Sequence, residues 1–292
     1  MNEVVTPLVS IVIPTYNHAH LLRKALSSIY GQTYKNWEVI IVDNHSRDNT
    51  DEIVKEFQHL NLKLLKINNN GVIGASRNMG IRHASGEWVA FLDSDDLWAP
   101  NKLEVCIANA HDNIDLIYHD LDIIREQPAR FERKTLLVKQ VKSPVTIDLL
   151  LGGNVICNSS VVVRKQLLDQ IGGINENENI VGAEDFSTWL RISKLSERFH
   201  YIPVVLGSYL MHSQGNSQRN MSTPTRLACN EFLHLLTKQQ LLRFESNLRL
   251  MNAKHECTKT NCRAAINDLL YCIWHGNLTI KLKSIQIIFT CW

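Results

Sequence analysis

The sequence predicts an α/β fold with a largely parallel central sheet, followed by a helical C-terminal region. Over the first half of the chain, short β-branched and nearly continuous apolar runs alternate with helix-like segments. Such runs are typical of strands that are covered on both faces. After Pro224 the sequence becomes basic, moderately apolar and helix-like. Strands that alternate with helices imply parallel neighbours joined by right-handed crossovers.

Four strands and three helices are predicted in the first half. The strands are LVSIVIP (8–14), WEVIIVD (37–43), LKLLKI (62–67) and WVAFLD (88–93). The helices are 19–30, 50–59 and 74–84. Ligands of such sheets collect beyond the carboxyl ends of the strands, so the polar residues that follow these strands are expected to share one rim.

The second half continues with elements that are less regular. Predicted in order are a helix (100–112), a strand (114–120), a polar connection (121–145), a strand (155–163), a short helix that ends at Gly172-Gly173, a helix (183–194), a strand (199–210) and a polar loop (212–220). Pro100 suits the first turn of its helix, and the glycine pair suits a helix C-terminus.

Composition and charge indicate an ordinary globular chain of 292 residues, with 45% hydrophobic and 21% charged residues. The net charge of +2 hides an asymmetry, because residues 221–292 hold nine Lys/Arg against four Asp/Glu. Seven scattered cysteines form no paired framework and indicate a reducing compartment. The N-terminus has no signal pattern and no apolar run reaches a spanning length, so we expect a cytoplasmic protein, soluble or peripheral.

The stretch FLDSDDLW places Asp93, Asp95 and Asp96 directly after a strand that is expected to be buried. One aspartate would be enough to cap the following helix. Three carboxylates fit a hard cation such as Mg²⁺ or Mn²⁺ better, because these ions take carboxylate oxygens and keep positions open for water and substrate phosphates.

Two further turns carry polar groups. Asp43 and its polar successors suit an ordinary strand-to-helix turn and a base- or ribose-binding carboxylate equally well. The turn at 71–78 offers backbone N–H groups and Arg77 beside a helix start, which suits phosphate. It matches neither the dinucleotide-binding nor the NTPase glycine pattern.

A second acidic pair, Glu184 and Asp185, stands at the start of a predicted helix. Acidic residues favour that position through the helix dipole, but a carboxylate there can also serve as a base in a cleft. Spacing alone does not decide between the two, and the same holds for His212 in its polar loop.

These motifs, in this order, resemble a family 2 glycosyltransferase of the GT-A fold, a group that transfers sugars from nucleotide-sugars with inversion. IVIPTYN, VDNHSRDNT, NNNGVIGASRNMGI and HASGEWVAFLDSDDLW resemble the nucleotide-binding half, and CNSSVVVRKQLLDQIGGINE, GAEDFSTWLRIS and YLMHSQGNS resemble the acceptor half. The resemblance covers about residues 8–218. It implies a Rossmann-like GT-A catalytic domain at 1–220, with halves at about 1–98 and 99–220, and a helical extension at 221–292.

The resemblance also implies site residues. On the nucleotide-sugar side these are Pro14, Thr15, Tyr16, Asn17, Asp43, Asn44, Ser46, Arg77, Asn78, Asp93 and Ser94. Asp93-Ser94-Asp95 would be the DxD motif, with Asp95 binding a divalent cation, Mn²⁺ or Mg²⁺, and Asp93 and His212 approaching it. Asp185 would be the catalytic base, with Glu184 beside it. Many relatives carry an acidic residue where this chain has Asn44, so the resemblance defines the identity of the donor nucleotide less closely.

The expected function is therefore inverting transfer of a sugar, from a UDP-sugar, to a hydroxyl of a glycan or lipid-linked acceptor in bacterial surface polysaccharide synthesis. One alternative is a sugar-phosphate nucleotidyltransferase, which would need a Gly-rich basic loop after the first strand, and PTYNHAHLL offers none. The other is a nucleotide-sugar-binding module without turnover. No nucleic-acid partner is expected.

The basic C-terminal region allows two interpretations. Its helices either pack on the catalytic domain or on a second subunit, or they contact an anionic membrane surface, at the inner face of the plasma membrane, through LTIKLKSIQIIFTCW. Lys281 and Lys283 stand among the apolar residues of that segment.

Overall fold

The computed structural model describes residues 6–59, 61–125, 135–136, 138–211, 219–259 and 262–291. Its strands are β1 (Val9–Thr15), β2 (Trp37–Asp43), β3 (Leu62–Lys66), β4 (Trp88–Phe91), β5 (Leu97–Trp98), β6 (Leu116–Arg125), β7 (Thr135–Leu136), β8 (Val162–Arg164) and β9 (Phe199–Met211). Its α-helices are α1 (Ala19–Tyr30), α2 (Thr50–Glu56), α3 (Ile73–His83), α4 (Lys102–Ala108), α5 (Val145–Gly152), α6 (Lys165–Gln170), α7 (Glu184–Ser193), α8 (Ser222–Cys229), α9 (Lys238–Thr258), α10 (Cys262–His275) and α11 (Leu278–Cys291).

The nine strands form one sheet in the order β3-β2-β1-β4-β8-β6-β9-β5, with β7 paired to β6. Neighbours from β3 to β4 are parallel, as are β6 and β9, whereas β8 is antiparallel to both of its neighbours. The predicted α/β class, with helices around a central sheet and a helical C-terminal region, is confirmed. The parallel part is the one in which apolar runs and helices alternate most clearly in the sequence.

Two apolar layers cover the sheet, one on each face. Because side chains alternate along a strand, Ile11 and Ile13 of β1 pack in the layer that contains Leu22 of α1, whereas Val12 packs with Ile81 of α3 on the opposite face. β1 and β2 are buried along their whole length, as strands covered on both sides must be. The two strands are therefore held firmly in the sheet, and their carboxyl ends lie together at the edge that carries the candidate site.

The predicted strand at 155–163 is wrong over most of its length. Asn158–Ser160 forms a 3₁₀ turn, and only β8 joins the sheet. The physical reason is side-chain hydrogen bonding, both local and long-range: Ser160 Oγ donates to the carbonyl of Cys157, and Ser159 Oγ donates to Asp96, 63 positions away. Serine and asparagine side chains compete in this way with strand pairing.

Other elements have bounds that differ from the predicted ones. The helices predicted at 50–59 and 100–112 are shorter, at Thr50–Glu56 and Lys102–Ala108, and β6 extends to Arg125 into the predicted polar connection. Helix α5 had not been predicted.

The C-terminal helices pack in two places. Phe244 and Leu248 of α9 belong to the large apolar cluster that covers one face of the sheet. A separate small cluster joins α9 to α10 and α11, and it contains Leu250, Ala253, Ala265, Leu269, Cys272 and Ile280. Among the residues that the structure describes, none of the helices combines the length and apolarity needed to traverse a lipid bilayer.

Candidate active site

The predicted rim is present at the carboxyl ends of the first parallel strands. Thr15 and Asp43 are register partners at the ends of β1 and β2, and Asp93 follows β4. The two loops that leave β1 and β2 are joined, because Ser46 Oγ accepts from the backbone N–H of Asn17 at 2.8 Å and Asn17 Oδ1 accepts from the N–H of Arg47 at 2.7 Å. The predicted donor-binding segments therefore form one continuous edge.

Asp43 holds the turn that follows β2. Its buried carboxylate accepts from the backbone N–H of Ser46 at 3.1 Å, from Ser46 Oγ at 2.5 Å and from Lys66 Nζ at 2.6 Å. Asn44 is also engaged, since its side-chain oxygen accepts from the N–H of Asn69 at 2.9 Å. These contacts leave the turn preorganised before any ligand binds.

The loop after β1 presents a different surface. Pro14 and Thr15 are buried within the strand, whereas Tyr16 and Asn17 are exposed. The hydroxyl of Thr15 is buried and has no hydrogen-bond partner among the described residues. An exposed aromatic ring beside a turn of polar groups can stack on a base.

Of the three acidic residues, Asp96 is buried, whereas Asp93 and Asp95 are partly exposed. Asp96 is buried, and it accepts from Ser159 Oγ at 2.5 Å and from the backbone N–H of Leu210 at 3.0 Å. Burial raises the pKa of Asp96 well above its usual range, and the charges of Asp95 and Asp93 raise it further. Asp96 therefore ties its loop to the 158–160 turn and to β9.

Asp93 faces the open side of the cluster. Its Oδ1 accepts from Arg77 at 2.7 Å and from Asn158 Nδ2 at 3.3 Å, and its side chain is 27% exposed. No described residue donates a hydrogen bond to its Oδ2. Ser94 between the two acids is buried, and its hydroxyl lies 3.2 Å from Nδ1 of His18.

Asp93 and Asp95 fit a divalent cation of the hard type. Both are partly exposed carboxylates, and they lie close enough to Asp96 for their charges to add to the burial that raises its pKa. Mg²⁺-like ions need one or two protein carboxylates when substrate phosphates supply other ligands. No cluster of three or more His, Cys, Asp or Glu forms a metal site in the described part of the chain. The third predicted ligand, His212, lies outside the described residues.

Arg77 of α3 connects Asp93 to Glu184 of the second acidic pair. Its guanidinium donates through one terminal nitrogen to Asp93 Oδ1 at 2.7 Å and through the other to Glu184 Oε1 at 2.6 Å. Burial acts to lower the pKa of Arg77, but Asp93 and Glu184 together raise it. Its Nε is buried and lacks a hydrogen-bond partner within the described ranges. One guanidinium thus fixes two carboxylates that are 91 positions apart in the sequence.

Asp185 lies beside Glu184 in the first turn of α7 and is partly exposed. Its Oδ2 accepts from Asn154 Nδ2 at 3.0 Å, and its Oδ1 accepts from the backbone N–H of Phe186 at 2.6 Å. Desolvation and the charge of Glu184 raise the pKa of Asp185 to about 7, against the opposing effects of Arg77 and these two hydrogen bonds. A carboxylate with this pKa can accept a proton near neutral pH.

Asn78 has partners of its own. Its Oδ1 accepts from the backbone N–H of Ile174 at 2.7 Å, and its Nδ2 donates to the carbonyl of Ile174 at 2.8 Å and to Glu176 at 2.7 Å. These bonds hold the 174–176 loop against α3. A contact between Asn78 and a donor remains a prediction.

Sequence reasoning missed three residues that support the site: Asn154, Asn158 and Ser159. Asn154 orients Asp185, Asn158 contacts Asp93, and Ser159 links to Asp96. The sequence did contain a signal for Asn158 and Ser159. The polar run NSS interrupts the otherwise apolar VICNSSVVV, and three consecutive polar residues are unusual in the middle of a buried strand.

Comparison with known proteins gives a consistent result. The family model described as Glycosyl transferase family 2 matches residues 10–172. An Escherichia coli protein named UDP-Glc:alpha-D-GlcNAc-diphosphoundecaprenol beta-1,3-glucosyltransferase WfgD is 35% identical over 190 residues, which cover 64% of this chain and 70% of that protein. An uncharacterized glycosyltransferase of Rickettsia felis is 30% identical over 250 residues. That match spans 82% of this chain but only 40% of the longer Rickettsia protein.

Two solved structures share the fold. TarS 1-349 of S. aureus, in complex with UDP-GlcNAc, aligns with a TM-score of 0.66 and 20% identity, over 97% of this chain and 90% of its own. The mannosyltransferase PcManGT of Pyrobaculum calidifontis, in complex with GDP-Man and Mn²⁺, aligns with a TM-score of 0.58 and 19% identity, over 99% and 82%. These likenesses support the GT-A architecture around the acidic rim.

Proposed function

The chain belongs to glycosyl transferase family 2, and from that premise we propose that it transfers a sugar from a UDP-sugar to a hydroxyl of a glycan or lipid-linked glycan, with inversion at the anomeric carbon. It is a glycosyltransferase with a GT-A fold.

One observation carries it: Arg77 joins the donor-side acid Asp93 to the acceptor-side acid Glu184 within a single buried contact. Asp95 and Asp185, the partly exposed carboxylates next to them in the sequence, would perform the two functions that a sugar transfer requires. One function neutralises a leaving diphosphate, and the other accepts the proton of the attacking hydroxyl. The bridge supports a common cleft for both.

On the donor side, Asp95 and Asp93 would hold the divalent cation together with the donor diphosphate. When bound, the cation acts as a Lewis acid that neutralises charge on the departing nucleoside diphosphate. Tyr16 and Asn17 would contact the base, while Asp43 and Ser46 keep the neighbouring turn in shape for the ribose. We propose UDP because the name of WfgD specifies a UDP-sugar donor.

On the acceptor side, Asp185 would be the general base. The acceptor oxygen forms the new bond to the anomeric carbon, the bond to the diphosphate oxygen breaks with its electron pair on the diphosphate, and the hydroxyl proton passes to Asp185. The displacement is direct, so it inverts the anomeric centre and needs no covalent intermediate. Asn154 and the N–H of Phe186 orient the carboxylate for this transfer.

The acceptor class and the biological setting come from likeness to one relative. The name of WfgD describes a sugar linked to diphosphoundecaprenol as its acceptor. We extend this class to the present chain as a lipid-linked glycan, in the synthesis of a bacterial surface polysaccharide such as an O-antigen or capsule.

The test measures UDP release and product formation over a panel of nucleotide-sugars, with and without Mn²⁺, for the natural chain and two variants. For Asp185→Asn we expect a loss of transfer of about 10²–10⁴-fold with nearly unchanged UDP binding, because the base is removed and the donor side is kept. For Asp95→Ala we expect weaker Mn²⁺-dependent UDP binding. Asp169→Asn, which changes an exposed acid on α6, is the matched control.

Three results would count against the proposal. Near-natural turnover of Asp185→Asn would show that another group is the base. Unchanged Mn²⁺-dependent UDP binding by Asp95→Ala would remove the cation assignment. Nucleotide-sugar binding without release of nucleotide under any condition would favour a module that has lost turnover.

A further inference from the structure

Helix α11 has two apolar faces, and only one of them is covered. Ile280 and Ser284 are buried on the side that packs against α9 and α10. The other side carries a row at helical spacing, three or four residues apart, and its members are exposed: Leu278, Leu282, Ile285 and Phe289. Leu278 is 72% and Phe289 is 81% exposed.

Helix α10, the other helix of the same hairpin, also carries exposed apolar side chains. Leu270 and Trp274, four residues apart, are 45% and 77% exposed at its C-terminal end, directly before the turn into α11. We name the six side chains of α10 and α11 the apolar strip: Leu270, Trp274, Leu278, Leu282, Ile285 and Phe289. Single exposed apolar side chains are ordinary, whereas a set concentrated on one helical hairpin indicates a surface that binds something.

The charged side chains that the sequence supplies after Asp268 are of one sign. After Asp268 the sequence contains no Asp or Glu, while Lys281 and Lys283 stand on either side of the row on α11. Lys254 of α9 lies near Lys283, and burial together with that neighbouring charge lowers the pKa of Lys254. None of these three lysines takes part in an ion pair with another described residue. An anion would relieve the crowding of positive charge.

The positive charge of the lysines favours one kind of partner for the apolar strip over another. A second copy of the chain would bring the same lysines to the interface, where they would repel one another. Residues 221–292 contain nine Lys/Arg and only four Asp/Glu. A bilayer that contains anionic lipids offers both missing partners, because acyl chains can receive the apolar row and phosphate headgroups can receive the lysines at its edges. The covered inner face keeps α11 against the protein, so the outer row can lie along a surface.

We propose that the apolar strip, with Lys281 and Lys283, binds the surface of a membrane that contains anionic lipids. This inference goes beyond the proposed activity and does not depend on it. Binding is measured without donor or acceptor, so failure of either proposal is recognised separately.

The experiment is vesicle flotation of the full chain with phosphatidylcholine alone and with about 30% phosphatidylglycerol, a content chosen to give a clearly negative surface. We expect flotation with the anionic vesicles and much less with the neutral ones. Leu282→Ser/Phe289→Ser should lower binding to the anionic vesicles at least about tenfold, because two side chains lose their apolar contact. Lys281→Glu/Lys283→Glu should lower it by more than about fivefold for each charge.

Two double variants serve as matched controls. Leu195→Ser/Val204→Ser removes exposed apolar side chains outside the strip, and Lys24→Glu/Lys35→Glu reverses exposed charges near α1. Both should float like the natural chain. Circular dichroism confirms that each variant retains its helices.

The proposal fails if the natural chain does not float with anionic vesicles, or if the strip variants float as well as their controls. Light scattering adds a third outcome. A dimer that becomes monomeric in Leu282→Ser/Phe289→Ser, without flotation of the natural chain, would assign the strip to a second copy and overturn the membrane proposal.

Discussion

Arg77 is the residue on which the electrostatics of the site depend. Its side chain is 3% exposed, and it balances Asp93 and Glu184 at 2.7 and 2.6 Å. A buried ion group of this kind adds little net stability compared with an apolar substitute, but removal of one partner leaves uncompensated charge in a desolvated place. The stability of the fold should therefore be sensitive to loss of the Arg77 guanidinium.

We predict that Arg77→Met lowers the free energy of unfolding by about 3–5 kcal/mol, because two carboxylates lose their common counter-ion. Arg82→Met removes an exposed arginine from the same helix and should change it by no more than about 0.5 kcal/mol. Urea unfolding at neutral pH measures both. Equal losses in the two variants would show that the bridge does not stabilise the fold.

Asp185 should also set the pH dependence of transfer. Its pKa is raised to about 7, and a general base works only when unprotonated, so kcat/KM should fall as the pH drops below about 7. Asn154 donates to Asp185 and favours its charged form, so Asn154→Ala should raise this pKa further. The acidic limb of the kcat/KM profile should then move to higher pH.

Asn36→Ala is the control for this measurement, since it removes another exposed asparagine whose side chain makes a single hydrogen bond. Its profile should match that of the natural chain. An acidic limb that does not move in Asn154→Ala would contradict the role of Asn154 as a positioning residue for the base.

Among the elements, the sequence predicted best those whose residues are fixed by local pattern. The helix 19–30 and the strand 37–43 have the predicted bounds, because their apolar periods are uninterrupted. The 158–160 turn was predicted wrongly because its partners, Asp93 and Asp96, lie more than 60 residues away. Such distant hydrogen bonds leave no local period in the sequence.

The same reason explains what sequence could predict of the candidate site. Arg77, Asp93 and Glu184 were all identified, because each belongs to a motif that is local. Their contact was not, since Arg77 and Glu184 are 107 positions apart. Residue identity follows from motifs, whereas the bridge follows from how α3 and α7 pack on the sheet.

Helix α3 can lie close to β1 because Gly80 has no side chain. A Cβ at this position would approach Val12 Cγ1 to 2.4 Å, so the helix or the strand would have to move. We predict that Gly80→Ala lowers the free energy of unfolding by about 1–3 kcal/mol through overpacking. Thermal unfolding with and without UDP and Mn²⁺ measures the stability and the effect on the site.

The control is Gly31→Ala at the C-terminus of α1. Gly31 has φ −73°, which other residues adopt, and the nearest heavy atom to an added Cβ is 3.5 Å away. Its stability should stay close to that of the natural chain or rise slightly. A Gly80→Ala protein as stable as this control would mean that α3 has room against β1.

At the scale of the whole molecule, α9 connects two apolar cores. Phe244 and Leu248 lie in the core that covers the sheet, whereas Leu250 and Ala253 lie in the small cluster with α10 and α11. The sequence division between a catalytic domain at 1–220 and an extension at 221–292 stays a prediction. The cluster that covers the sheet takes four of its buried residues from beyond residue 220, namely Cys229, Phe232, Phe244 and Leu248.

Two equally buried residues of the C-terminal region should therefore behave differently. Phe244→Ala should lower the free energy of unfolding by about 3–5 kcal/mol and raise amide exchange throughout β1, β2 and β4, because it leaves a cavity in the sheet-covering core. Leu269→Ala, in the small cluster, should raise exchange in α10, α11 and the end of α9 while the sheet stays protected. Hydrogen exchange followed by mass spectrometry resolves these segments. If Leu269→Ala exposed the sheet as much as Phe244→Ala does, the two cores would unfold as one unit, and the hairpin of α10 and α11 could not unfold without loss of the candidate active site.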